Sequence, residues 1–204
     1  MLIDQTVPAF LDALSSADPT PGGGSAAAMV GATGVSLLVM VAAMPKTRTN
    51  APEERTALDR AHADLSTTRE ALLGLIDRDA SAYDLVIAAF RKPKATDDEK
   101  RDRKVAIQEA TRVATDIPLE TIRVCVDAMR AGQAVAAHGN PSASSDAKVG
   151  YRMLLAAALS AKDNVDINLG GLSDVDVRSR LENAAAELAG EAEALHAGVV
   201  NARD

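Results

Sequence analysis

The side chain best placed for chemistry is Asp79, a carboxylate on the apolar face of a predicted long helix. At about 100 degrees per residue, it falls in a stripe with other core residues. These are Leu72, Ile76, Tyr83, Val86 and Phe90. The same count places Asp77 and Asp84 on the solvent side. A carboxylate on a core face must pair with a cation or helix terminus, or serve a function. Burial raises a carboxyl pKa toward the range of a general acid or base.

A glycine-rich turn, Pro21-Gly22-Gly23-Gly24-Ser25, precedes an uncharged segment. Backbone N–H groups at such a helix start can point at an anionic ligand, which the helix dipole also favours. The turn matches neither the dinucleotide-binding fingerprint nor the Walker pattern. A plain helix start that needs close packing, with Ser25 as the N-cap, explains the same residues.

Polar residues also cluster in two later segments. Asn140 lies in a turn-rich loop, and Asp146 follows in the first turn of the next predicted helix. Asn164 and Asn168 are one turn apart on that helix and predict a polar seam. Helix capping explains each of these residues as an alternative to ligand binding.

The composition restricts the fold and the partners. The chain has 204 residues, 47% hydrophobic but only 2% aromatic, so the core must be built from Ala, Val, Leu and Met. Ala-rich sequence favours helices. The net charge of −7 argues against nucleic-acid or anionic-membrane partners. One cysteine and three scattered histidines form no disulfide or zinc pattern. We therefore expect no bound metal. No basic and apolar leader opens the sequence, so we also expect a cytoplasmic protein.

Apolar periodicity and turn residues divide the chain into helices, with no strand pattern. We expect an all-α, antiparallel helical bundle with long helices, forming a single domain over residues 1–204. The predicted helices are about Thr6–Ala17, Ser25–Met44, Glu53–Lys92, Thr96–Val135, Ser145–Asn168 and Asp174–Ala202.

Local signals refine three of these helices. Thr96 and Glu99 form a predicted capping box, Pro118 is expected to kink the helix that contains it, and Ser173 with Asp176 is expected to cap the last helix. Ser25–Met44 is uncharged and long enough to span a bilayer. Its small and hydroxylated residues, without aromatic anchors, instead predict a core helix buried on all sides.

In order along the chain, these motifs resemble the C-terminal family of formiminotransferase-cyclodeaminases, which includes stand-alone methenyltetrahydrofolate cyclohydrolases. The resemblance spans essentially the whole sequence. It is carried by Pro19–Ala28, Asp79–Tyr83, Lys92–Lys100, Pro118-Leu119, Gly139-Asn140 with Ser145-Asp146, and Asn164–Leu169.

The resemblance implies an all-helical homodimer that acts on one-carbon derivatives of tetrahydrofolate without a cofactor. A chain of this length has no room for a formiminotransferase domain, which favours cyclohydrolase activity over cyclodeaminase activity. Relatives often carry a glycine, clustered lysines and an aromatic after the second helix. Here Met44–Asn50 holds only Lys46 and Arg48 as basic residues and no aromatic.

The family's catalytic aspartate falls on Asp79, which we expect to act as general base and then as proton donor to N5. Asp146 is a second catalytic candidate that orients the pterin. Other residues are expected to bind substrate: Lys46, Arg48 and the backbone amides of Gly22, Gly23 and Gly24 toward the anionic tail, Pro21 and Ser25 as parts of the same turn, and Asn140, Asn164 and Asn168 toward the pterin edge. The alternatives are formiminotetrahydrofolate cyclodeaminase and a non-catalytic folate-binding or scaffold protein.

Overall fold

A computed structural model describes residues 1–201, which form six α-helices and two short 3-10 turns. No strand occurs within those residues, so the predicted all-α class is confirmed. The helices are α1 (Val7–Leu14), α2 (Gly23–Ala43), α3 (Pro52–Phe90), α4 (Asp97–His138), α5 (Ser144–Leu169) and α6 (Val175–Val200).

The helix ends agree with most of the local signals. Thr6 accepts a hydrogen bond from the Ala9 N–H and caps α1, and Thr96 and Glu99 form the predicted capping box of α4. The prediction for α6 was wrong, because Asp174 caps it by accepting from the Val177 N–H. The hydroxyl of Ser173 instead donates to Gln108 on α4.

Helix α2 packs between α3 and α5, and α4 packs on α3 and α5 behind it. The backbones of α2 and α5 touch where two glycines meet. A Cβ on Gly34 would lie 2.8 Å from the Gly150 carbonyl oxygen, and one on Gly150 would lie 2.9 Å from the Gly34 oxygen. No other residue type fits at that crossing without moving one of the helices.

The start and surroundings of α2 differ from the predictions. The helix begins at Gly23 with Gly22 as its N-cap, so Ser25 lies in the first turn and is not the cap. Burial on all sides was also wrong. Although α2 is long and apolar enough to cross a bilayer, only half of the residues in its most apolar stretch are buried in the protein. One stripe, which includes Thr33 and Met40, remains exposed.

The hairpin of α3 and α4 extends beyond the rest of the bundle. The buried residues of α4 begin only at Ala110. Tyr83 is therefore 39% exposed and Phe90 51% exposed, although the apolar pattern placed both in the core. The pattern identified one face of the helix correctly, but at the tip of the hairpin that face is only partly covered: the Arg103 guanidinium of α4 lies over the Phe90 ring, 5.5 Å from its centroid.

Asp84 is exposed as predicted, whereas Asp77 is not on the solvent side. The N-terminal turn Leu2–Asp4 packs on α3 and covers Asp77. Its Oδ1 accepts a hydrogen bond of 2.6 Å from the Leu2 N–H. Its Oδ2 is buried without a partner among residues 1–201.

Pro118 lies inside α4 and explains the position of Asn168. A proline has no N–H, so the carbonyl four residues earlier, that of Ala114, loses its helical partner. The side chain of Asn168 on α5 donates to this carbonyl from Nδ2 at 2.8 Å. The amide predicted to read a ligand therefore satisfies a backbone group and joins α5 to α4.

We predict that Asn168→Ala lowers the free energy of unfolding by about 1 kcal/mol, because the Ala114 carbonyl loses its donor. In a Pro118→Ala background, residue 118 regains an N–H that can bond to Ala114, so the same change should cost less. Urea unfolding of the four proteins measures both effects. Equal losses in the two backgrounds would contradict this coupling.

Candidate active site

Asp79 lies where α3 passes the first turn of α2, and the two elements are in direct contact. A Cβ on Gly24 would lie 2.1 Å from Asp79 Oδ1. The glycine turn is thus required for the carboxylate to approach the start of α2. The partial positive charge of that helix terminus favours the ionised carboxylate.

The hydroxyl of Ser25 connects this carboxylate to the backbone of its own helix. Ser25 Oγ is 3.0 Å from Asp79 Oδ2 and 3.0 Å from the carbonyl oxygen of Ile76. A hydroxyl has one hydrogen but two lone pairs. It can donate to Asp79 when the acid is ionised, and donate to Ile76 while accepting from Asp79 when the acid is protonated. Ser25 therefore accommodates both protonation states.

The environment shifts the acidity of Asp79. Burial raises the pKa of its carboxyl, and hydrogen bonds from the hydroxyl and backbone of Ser25 oppose this by lowering it. Asp79 has no ion-pair partner among the described residues. A half-buried carboxyl with a raised pKa and neutral hydrogen-bond donors is suited to take up a proton and to return it.

Asn164 is the second polar side chain at this end of α2. A Cβ on Gly23 would lie 3.4 Å from its Nδ2, which donates to the Ser160 carbonyl at 2.8 Å. Asn164, the glycine turn and Asp79 therefore line one surface. Pro21 is buried behind it.

Lys46, Arg48, Asn140 and Asp146 lie at the opposite end of α2. A cavity of about 540 Å³ opens there between the α2–α3 loop, the α4–α5 loop and α6. Its polar lining residues are Arg48, Gln133, Asn140, Ser144, Lys148 and Glu191. Asn140 Oδ1 accepts from the Ser142 N–H at 3.0 Å, which fixes the side chain at the rim.

Glu54 holds the loop that carries Arg48. Its Oε2 accepts from the Thr47 hydroxyl at 2.5 Å and from the Thr49 N–H at 2.8 Å, on both sides of Arg48. These hydrogen bonds, led by that from Thr47, lower the pKa of Glu54 to about 2. The Arg48 N–H also donates to the His138 carbonyl at 2.9 Å. The loop is therefore anchored to α3 and α4.

Lys46 and Asp146 lie at this end but outside the cavity lining. Lys46 is exposed, and Asp146 is half-buried in the first turn of α5. From Gly24 to Val41, α2 rises about 26 Å. Within one chain, the structure thus separates Asp79, Gly22–Gly24 and Asn164 from the group around Arg48.

Two contacts escaped the sequence analysis. Glu54 was not singled out, because its partners are set by the fold of a loop and no motif marks them. Arg55, the next residue, donates to the carbonyls of Ala42 and Met44 and so caps the C-terminus of α2. No local signal marks this cap either, because Lys46 and Arg48 are closer in sequence to the end of α2.

We predict that Ser25→Ala raises the pKa of Asp79 further, because the ionised carboxylate loses a donor. Carboxyl-carbon NMR titration of aspartate-labelled protein measures this, with the resonance assigned by its loss in Asp79→Asn. Ser81→Ala is the matched control, since the Ser81 hydroxyl bonds the Asp77 carbonyl in the same helix. An unchanged or lower pKa in Ser25→Ala would be the opposite of this expectation.

Comparison with known proteins identifies relatives of this chain. The chain is 40% identical over 171 residues to the methenyltetrahydrofolate cyclohydrolase of Methylorubrum extorquens, covering 84% of this chain and 82% of that enzyme. It is 30% identical to the formimidoyltransferase-cyclodeaminase of Gallus gallus over 94% of this chain, but spans only 35% of that protein.

The fold is also found in a solved structure, the formiminotetrahydrofolate cyclodeaminase of Thermotoga maritima. The TM-score is 0.87 at 25% identity, covering 98% of this chain and 96% of that chain. Residues 6–187 match the family model described as formiminotransferase-cyclodeaminase. The chain therefore belongs to the formiminotransferase-cyclodeaminase family.

Proposed function

We propose that the protein is a methenyltetrahydrofolate cyclohydrolase, which hydrolyses 5,10-methenyltetrahydrofolate to 10-formyltetrahydrofolate. The observation that carries the proposal is the half-buried Asp79, which lies against the first turn of α2 and is hydrogen-bonded to Ser25. The 40% identity to an enzyme of that name over 84% of the chain supports the choice of substrate.

The chemistry requires a base and then an acid. The methenyl bridge is a cation delocalised over N5, the bridge carbon and N10, which ionised Asp79 attracts. Water attacks the bridge carbon while Asp79 takes a proton, giving a neutral carbinol. The bond from carbon to N5 then breaks, the hydroxyl becomes the formyl carbonyl, and N5 gains a proton through Asp79. One proton is released to solvent in each turnover.

Ser25 suits these two proton transfers because its hydroxyl can rotate as the charge of Asp79 changes, without any movement of the backbone. It donates to the carboxylate before attack, and it can turn to the Ile76 carbonyl once Asp79 is protonated. The bridge carbon is already electrophilic, so we propose that the reaction needs no metal or cofactor. We further propose that the enzyme is a cytoplasmic homodimer.

Formiminotetrahydrofolate cyclodeaminase activity is the second candidate. The likeness to the Thermotoga maritima enzyme over 98% of the chain favours it. There, the same carboxylate would protonate the departing ammonia while N10 closes the ring. Assaying the purified protein with methenyl- and formiminotetrahydrofolate, and measuring absorbance and ammonia, separates the two activities.

We predict that Asp79→Asn reduces kcat by at least about 100-fold, since the amide can neither take nor return the proton. The decline of methenyl absorbance, corrected for uncatalysed hydrolysis, measures turnover. Asp84→Asn, an exposed aspartate on the same helix, should keep the wild-type rate. A folded Asp79→Asn protein with near-normal kcat would refute the role of Asp79.

We predict that Arg48→Ala raises the KM for polyglutamylated substrate roughly fivefold, the effect of losing about 1 kcal/mol of ion pairing. The reason is that Arg48 lines the cavity, where it can meet an anionic tail. Lys46→Ala should have a smaller effect, because Lys46 lies outside that lining. Steady-state kinetics with mono- and polyglutamylated substrates compare the variants, and equal effects of the two changes would argue against the cavity as the tail site.

A further inference from the structure

Tyr83 is an exposed aromatic side chain one helical turn from Asp79. The chain has two phenylalanines, two tyrosines and no tryptophan, and Phe10 and Tyr151 are buried in the core. Phe90 is exposed at the tip of the hairpin. Tyr83 is 39% exposed, and its hydroxyl forms no hydrogen bond with another residue in the range 1–201. The fold therefore leaves part of the Tyr83 ring available to a ligand.

The ring of Tyr83 is exposed because α2 does not extend far enough to cover it. The two helices are antiparallel, since Arg55 on α3 donates to carbonyls at the C-terminal end of α2 and Asp79 contacts its first turn. Residues of α3 after Asp79 therefore extend past the start of α2. Tyr83 lies about 6 Å further along the axis of α3 and about 40 degrees around it. Its ring thus continues the surface formed by Asp79, the glycine turn and Asn164.

The proposed substrate places a flat cation close to this ring. Its methenyl bridge carries a delocalised positive charge and is conjugated with the aromatic ring bonded to N10. The bridge carbon must lie within reach of a water held by Asp79 in order to react. An aromatic side chain about 6 Å along the same face can then pack against the bridge. Phe90 lies about 16 Å beyond Asp79 along the helix axis, which is too far for this contact.

An aromatic face distinguishes the substrate from the product by charge. The face of a tyrosine ring is electron-rich and attracts cations. The positive charge of the bridge is present in the substrate, and it disappears when water adds and the neutral carbinol forms. A contact between Tyr83 and the bridge therefore holds the substrate more tightly than the formyl product, which then leaves the site more easily.

We propose that the ring of Tyr83 packs against the cationic methenyl bridge, and that it makes the site selective for this cation over neutral folates with the same rings and tail. The inference deepens the proposed function and rests on it, because it requires the bridge to react at Asp79. It assigns the substrate contact to an exposed ring that shares the face of Asp79 and lies beyond the start of α2.

Tyr83→Leu tests this contact, because leucine is apolar but has no aromatic face. The KM for 5,10-methenyltetrahydrofolate should rise about fivefold, the effect expected of a partly exposed cation–π contact. The kcat should not fall, since the charge of the bridge is being lost in the transition state. The inhibition constant of 5-formyltetrahydrofolate, a neutral folate, should change less than about twofold. Tyr83→Phe keeps the aromatic face and should retain the wild-type KM.

Phe90→Leu is the matched control, because it removes an exposed ring from the same face of α3 at a greater distance from Asp79. It should leave both constants unchanged. Equal effects of Tyr83→Leu on the two folates would overturn the proposal, because a general apolar contact does not distinguish their charges. A Tyr83→Phe protein with the same defect as Tyr83→Leu would also overturn it, since the effect would then belong to the hydroxyl.

Binding without turnover separates this proposal from the proposed function. In an Asp79→Asn background, equilibrium dialysis with 5,10-methenyltetrahydrofolate at mildly acidic pH, where the bridge is stable, should show weakening by Tyr83→Leu of about fivefold. If the chain binds this folate through Tyr83 but the wild type turns over neither methenyl- nor formiminotetrahydrofolate, the proposed function fails and the contact stands. If the wild type hydrolyses the methenyl substrate and Tyr83→Leu binds it normally, the function stands and the contact is refuted.

Discussion

The contact between Gly24 and Asp79 constrains the site more than any other interaction. The start of α2 sits directly on a carboxylate of α3, at a separation that leaves no room for even a methyl group. This contact covers one side of the Asp79 carboxylate, aligns the first turn of α2 with it, and places Ser25 within hydrogen-bonding distance. The acidity of Asp79 therefore depends on how closely two helices pack.

That approach is supported at a distance by the crossing of α2 and α5. Gly34 and Gly150 let those backbones meet, which fixes the height and tilt of α2 between its neighbours. Arg55 caps the far end of the helix. An uncharged helix, which has no ion pairs to hold it in register, is thus positioned by close packing at its middle and by hydrogen bonds at its ends.

Several features could be predicted from the sequence because they depend on local pattern. Helical spacing was enough to single out Asp79, and Thr96 with Glu99 marked the start of α4. The errors arose where segments distant in sequence determine whether a side chain is buried and which group it bonds. Asp77 is covered by the N-terminal turn, and Ser25 bonds to α3. Tyr83 is exposed because the α3–α4 hairpin extends beyond the rest of the bundle. Helical spacing says which residues share a face, but not what covers that face.

The bond from Asn168 to the Ala114 carbonyl also bears on how this family diverges. The asparagine is needed because Pro118 leaves that carbonyl without a partner. In a relative that replaces the proline, α4 closes its own hydrogen bond and position 168 is released from this constraint. We therefore expect the two positions to vary together across the family, although they are distant in sequence and neither reaches the substrate through this bond.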